Sequence, residues 1–212
     1  MAGEEHREER DEAALAEARQ RVYDVFDALG IPYEAFDHPP IFSAADEVRK
    51  DIKIDALICK NLFLRNKDKS RFYLFTLPLD KRADLVALQN ALGETRLSFG
   101  DADALWDKLR IRPGSVSLLN IIGACEPGAE GGPDAAEGRH DATGEDAVAV
   151  KHAVAGAEGG PPLRFLVDAE TLQAARIGVH PNDNAATIVF SPDRLPDIFA
   201  YYGADFDFIS IG

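Results

Sequence analysis

Cysteine is scarce in this chain of 212 residues, with only Cys59 and Cys125 present, so no disulfide framework can hold the fold together and a reducing compartment is the expected setting. No apolar run reaches the length of a membrane span. The opening Met1-Ala2-Gly3-Glu4-Glu5 has neither the basic start nor the apolar stretch of a secretory signal, so a soluble, cytoplasmic protein with no membrane partner is expected. The G-x-S-x-G elbow, the phosphate-binding P-loop and the H-E-x-x-H pair are all missing, which removes the support for serine hydrolase, nucleotide hydrolase and zinc protease readings. His140 and His152 have no metal-ligand spacing, so neither a metal nor a cofactor is expected. Positive charge is also in deficit, at a formal net of −14.

That deficit is unevenly spread. Residues 1–20 carry seven acidic and three basic side chains and residues 126–162 eight and two, so these segments hold ten of the fourteen net negative charges. Residues 49–82 run the other way, with ten basic side chains against four acidic ones. Such a run is either a solvated hairpin or a surface for nucleic-acid phosphates, with Lys67, Lys69 and Arg71 as candidate phosphate contacts.

With 46% apolar residues, the chain can bury one good core. Leu15, Ala18, Val22, Val25, Phe26 and Leu29 recur at helical steps, and Gly30 and Pro32 stop the pattern. Residues 1–21 are expected as a polar helical extension, and 22–212 as a single domain. Its flexible insertion at 126–162 carries eight glycines and four prolines. Strands are predicted at Tyr33–Phe36, Leu57–Arg65, Arg71–Pro78, Leu163–Val167, Ala186–Phe190 and Phe206–Ser210. Helices are predicted at Ser43–Arg49, Lys81–Leu92, Asp101–Leu109, Ala169–Ala175 and Pro192–Tyr201, with Ser191 and Asp101 among the caps. Hairpins mixed with helices indicate an α/β (mixed α+β) fold with a central mixed sheet flanked by helices.

Lys60 lies inside the apolar strand pattern Cys59-Lys60-Asn61-Leu62-Phe63-Leu64-Arg65-Asn66. A half-buried ammonium there either meets an anion or a carbonyl, or snorkels from the strand end. Cys59 could be a nucleophile, yet adjacent strand residues face opposite sides, which favours a packed core thiol. His180 is either a base or a structural histidine before a turn proline.

Together with Phe36-Asp37-His38-Pro39, Arg112-Pro113-Gly114-Ser115-Val116-Ser117 and His180-Pro181-Asn182-Asp183-Asn184-Ala185-Ala186-Thr187, this run resembles the YbaK/prolyl-tRNA editing family. It is most similar to the free-standing branch that removes alanine from mischarged proline tRNA. The resemblance implies a mixed α/β fold, no metal, no covalent intermediate, and hydrolysis of the ester joining an amino acid to tRNA. The implied partners are mischarged tRNA, expected to be tRNA(Pro), and prolyl-tRNA synthetase. It also implies catalytic roles for Lys60, His180, Gly114 and Ser115, and substrate contacts at Asn61, Val116, Ser117, Leu118, Asn184 and Thr187. Ile41, Phe42 and Val48 are further candidate pocket walls.

The family commonly reads G-S-V-T-P where this chain has Gly114-Ser115-Val116-Ser117-Leu118. The acyl group removed could therefore be alanine, or another small one such as cysteine, serine or 2-aminobutyrate. A noncatalytic tRNA- or synthetase-binding module and a small-molecule binding protein are the readings from other classes.

Overall fold

Helix α1 (Ala2–Ala28) is a single helix that turns Val22, Val25 and Phe26 into the core. It ends where Gly30 adopts φ 59°, a conformation that costs glycine little. The Gly30 N–H then reaches Asp27 O and the Ile31 N–H reaches Phe26 O, closing the last turn. The sequence boundary at residues 21/22 thus falls inside one continuous helix, whose Arg19 pairs with Asp37 at 2.8 Å and approaches Asp183 at 3.6 Å. Through Arg19 the end of the expected extension is tied to the domain.

The computed structural model describes residues 2–41, 52–109, 111, 114–124, 163–204 and 206–211. The expected helix at Ser43–Arg49 and the insertion at 126–162 lie outside these residues, as do Phe42 and Val48. After α1 come β1 (Glu34–Asp37), β2 (Leu57–Asn66), β3 (Phe72–Pro78), α2 (Leu85–Ala91), β4 (Leu97–Phe99) and α3 (Ala102–Leu109). A 3-10 turn over Leu118–Asn120 leads into α4 (Ile121–Ala124). Then follow β5 (Leu163–Asp168), α5 (Ala169–Gln173), β6 (Ile177–Val179), β7 (Ala186–Phe190), α6 (Leu195–Tyr201) and β8 (Asp207–Ile209).

The strands form one mixed sheet in the order β1-β7-β6-β2-β3-β5-β8, with β4 added to β2. One edge of β2 pairs with β3 from Cys59 to Arg65. Its other edge is shared: Leu57 and Ile58 run parallel to β6, and Leu64 to Asn66 run antiparallel to β4. The β2–β3 turn is closed by Asn66, whose side-chain oxygen accepts from the Ser70 and Arg71 N–H groups while Lys69 takes φ 58°.

Alternation along β2 sends Cys59 and Phe63 into the larger core, with α1, α3, the 118–122 segment and α6. It sends Leu64 into a smaller core beneath α2. Fully buried side chains such as Phe26, Leu118 and Phe165 each contribute on the order of 1.5–3 kcal/mol by leaving water. Helix starts are capped by Asp84, Asp101 and Asp168, whereas Ser191 makes no side-chain cap bond and Pro192 opens that turn. No helix among the described residues is long and apolar enough to cross a membrane.

Candidate active site

Lys60 sits on the side of β2 opposite the larger core, and its ammonium donates to Leu79 O at 2.7 Å. The charge thus meets a carbonyl, using one of three N–H donors. Its neighbour Asn61 faces the other way. There the amide oxygen accepts from the Thr76 hydroxyl at 2.7 Å and the amide nitrogen donates to Val116 O at 3.1 Å.

Ser117 extends this tie. Its hydroxyl donates to the main-chain carbonyl of His180 and accepts from the Leu119 N–H, while Asn120 Oδ1 accepts from the Ser117 N–H, a reciprocal cap on the 3-10 turn. The Asn120 amide also donates to Asn182 Oδ1 at 2.8 Å, and the Asn182 amide donates to Ile122 O at 2.8 Å. These side chains are buried, so each bond satisfies groups that would otherwise cost about 1–3 kcal/mol to leave unpaired. Three separated segments, 60–61, 114–122 and 180–184, are locked together by this network. Asn184 adds a fourth, bonding Ile41 O through its amide and the Ile41 N–H through its carbonyl.

Two imidazoles lie at the junction. His180 Nδ1 is 2.8 Å from Ala186 O, and since a carbonyl can only accept, Nδ1 carries the proton and Nε2 is the basic nitrogen of the neutral ring. His38 follows β1, whose register sets Phe36 opposite Thr187. Its ring centroid is 6.0 Å from that of His180, and its Nε2 is 2.9 Å from the Thr187 hydroxyl.

Beside them opens a cleft with about 440 Å³ of empty space, its mouth included. Ile41, Ile52, Ile54, Ile58 and Leu79 make an aliphatic wall; His180 and Thr187 supply polarity, and Cys59, Gly178 and Val179 complete the lining. The floor depends on Gly178: a Cβ there would lie 2.6 Å from Ile58 Cδ1. Burial pushes the Cys59 thiol up to about 12, more than a hydrogen bond with Thr171 draws it down. At neutral pH the thiolate is negligible, so Cys59 is a packed wall residue and not an activated nucleophile. Among the described residues no three His, Cys, Asp or Glu side chains group as metal ligands.

Of the catalytic and substrate-contact residues expected from the sequence, His180 and Thr187 line the cleft, whereas Lys60, Asn61, Asn184 and the residues from Gly114 to Leu118 do not. Leu118 does not line the cleft, because the capped 3-10 turn carries it fully into the larger core. Gly114, Ser115, Val116 and Ser117 also stand outside the lining, Ser115 and Ser117 being buried behind Asn61 and the His180 main chain. Both amide atoms of Asn61 are used within the protein, so it braces the loop. Of the expected walls only Ile41 lines the cleft among the described residues, and the isoleucines at 52, 54 and 58 were overlooked. Lys69 and Arg71 are paired with Asp101 at 3.2 Å and Glu94 at 3.0 Å. With Lys67 they occupy the β2–β3 turn, about 20 Å from Lys60 at the rise of an extended strand. His38, quoted for its motif but given no role, is the residue that sequence reasoning passed over.

A fold of this kind with such a site matches known proteins. The aminoacyl-tRNA editing domain family is matched over residues 38–129. The prolyl-tRNA editing protein ProX of Acetoanaerobium sticklandii is 29% identical over 195 residues, covering 92% of this chain and 98% of that protein. The prolyl-tRNA synthetase associated domain-containing protein 1 of Mus musculus is 26% identical over 197 residues, covering 91% and 89%. A crystal structure described as that of a candidate trans-editing enzyme for prolyl tRNA synthetase superposes with a TM-score of 0.56 at 15% identity, over 92% of this chain and 98% of that one, a likeness of fold. The chain shares the fold of that candidate trans-editing enzyme, and its residues 38–129 match an aminoacyl-tRNA editing domain. Along most of its length it is similar to a prolyl-tRNA editing protein.

Proposed function

We propose that the protein is a trans-editing deacylase that hydrolyses mischarged tRNA(Pro), with alanyl-tRNA(Pro) as its substrate. The observation that carries this reading is the cleft itself, in which the imidazole of His180, with a basic Nε2, stands beside an aliphatic wall, while the Lys60 ammonium, outside the lining, is held at the carbonyl of the lining residue Leu79. The names of the relatives support tRNA(Pro) as the carrier, and association with prolyl-tRNA synthetase is a further expectation from them.

Hydrolysis adds water across the ester carbonyl, breaks the bond to the ribose oxygen, and returns free amino acid and a tRNA with its terminal hydroxyl restored. Negative charge builds on the carbonyl oxygen, and a positioned ammonium in a partly dry cleft stabilises it more than water does. Lys60 takes that role, or holds the terminal phosphate, through donors not used by Leu79 O. His180 Nε2 accepts the proton of the attacking water, and the neighbouring ribose hydroxyl is an alternative acceptor. Selectivity comes from size: a wall of isoleucines that admits a methyl group but clashes with a pyrrolidine ring rejects the cognate proline, while attraction for one methylene is worth only about 1–3 kcal/mol.

The test is a deacylation panel with tRNA(Pro) carrying alanine, cysteine, serine, 2-aminobutyrate or proline. Alanine should be released fastest and proline spared. Release of none of them would overturn the reading, and preferential release of cysteine or serine would move the substrate assignment.

A further inference from the structure

We propose that His38 is a positioning residue of the cleft: by holding the proton of the Thr187 hydroxyl, it leaves Thr187 Oγ1 as an acceptor for the α-ammonium of a bound aminoacyl group. The proposal deepens the deacylase reading and rests on it.

The proton positions follow from the partners. His38 Nδ1 is 2.9 Å from Pro39 O, a group without a proton to give, so the ring nitrogen donates and Nε2 of the neutral ring can only accept. The partner of Nε2 at 2.9 Å is the Thr187 hydroxyl, which therefore donates its single proton to His38. What Oγ1 retains are lone pairs.

The orientation of Thr187 is fixed from both sides. A Cβ built on Gly178 would lie 3.2 Å from Thr187 Cγ2, so the methyl group rests over Gly178 while the hydroxyl turns toward His38. A β-branched side chain in a strand has few other rotamers open to it. The antiparallel β1–β7 register brings His38, 149 residues away in sequence, to this place.

An aminoacyl ester carries a cation next to the carbonyl that is attacked, and this cleft is otherwise mostly aliphatic. A hydroxyl free to rotate could turn its proton against that cation; one whose proton is engaged can only accept from it. The pair thereby distinguishes a free amino group from a hydroxyl or a blocked amine, so the site would spare peptidyl and other N-acylated esters.

The test uses two stable analogues, 3′-(L-alanyl)amino-3′-deoxyadenosine and its L-lactyl counterpart, which differ only in the α-ammonium, titrated calorimetrically into the full chain. The wild-type protein should prefer the alanyl analogue by about tenfold, as expected for a hydrogen bond to a charged group. That ratio should fall to about one in His38→Leu and in Thr187→Val, and the double variant should lose no more than either single one. His38→Gln, whose side-chain oxygen can accept in place of Nε2, should keep the preference. Persistence of the preference in both His38→Leu and Thr187→Val, or its absence from the wild type, would overturn the proposal. Parallel assays on alanyl-tRNA(Pro) separate the two claims. Hydrolysis without an ammonium preference removes the role of His38 alone, and an ammonium preference without hydrolysis removes the deacylase reading.

Discussion

Lys60 and Asn61 are neighbours in β2 whose side chains part company at the sheet: the ammonium bonds Leu79 O on the cleft side, and the amide bonds Thr76 and Val116 on the other. One residue holds its ammonium at Leu79 O and the next fastens the loop on the opposite face. This division predicts different consequences for their loss.

Lys60→Ala should lower kcat/KM for alanyl-tRNA(Pro) by about tenfold to a thousandfold, or about 1.4–4 kcal/mol of transition-state stabilisation, with little change in melting temperature. Cys59→Ala should keep most of the activity, because a thiol held near 12 contributes no nucleophile. Steady-state kinetics on both variants checks this. An inactive Cys59→Ala beside an unaffected Lys60→Ala would reverse the roles.

Asn61→Ala should act first on stability. It strands Val116 O and removes the acceptor of the Thr76 hydroxyl, at a cost of about 1–3 kcal/mol, readable by denaturant titration. Activity should fall with it, since the loop that bonds the His180 carbonyl is no longer braced. A variant of native stability would show that the Asn61 tie is dispensable.

Gly178→Ala should narrow the cleft. The new Cβ would meet the far end of the Ile58 side chain at 2.6 Å, and that mobile methyl can yield only by shifting, with the cleft as the open side. Release of 2-aminobutyrate should drop more than release of alanine, and competition between the two mischarged tRNAs measures it. An unchanged ratio would exclude Ile58 as a size-limiting wall.

Glu94 supplies a pH dependence away from the site. Burial alone would raise its carboxyl, but hydrogen bonds from Tyr73, Arg71 and Asn66 together with the Arg71 charge outweigh this and hold it below its ordinary value. A carboxylate depressed in the folded state stabilises the fold at pH values above its unfolded pKa of about 4.3, and that contribution disappears as pH falls through the lower folded value. The melting-temperature gap between wild type and Glu94→Gln should therefore be full at neutral pH and close in acid. A gap independent of pH would contradict it.

Much of this fold was legible because its longer elements carry their period openly. The hairpin of β2 and β3, the strand at Ala186–Phe190 and the helix stopped by Gly30 lie within a residue or two of where alternation and turn residues set them. β4 and β6 were not foreseen. Three residues such as Ile177-Gly178-Val179 are too few to show a period; β4 becomes a strand on the edge that β2 offers, and β6 between β2 and β7. The site followed the same rule. Lys60 and His180 stood out as isolated polar residues in apolar or turn contexts, whereas His38 acquires its meaning from a pairing with Thr187 that no local pattern encodes. The isoleucine wall was missed for a related reason: aliphatic side chains at 52, 54 and 58 look the same in sequence whether they fill a core or border a cleft.

The shared edge of β2 has a consequence for how the protein keeps to itself. Between the stretch taken by β6 and the stretch taken by β4, residues Cys59 to Leu62 have no strand partner on that side among the described residues, and Phe63 O accepts from the Gly100 N–H. An unpaired edge at the rim of a sheet invites another chain to add on, but this one is recessed between two flanking strands and is too short to seat a new strand in register. The gap between two flanking strands thus leaves β2 without a long open edge that could act as a template for aggregation.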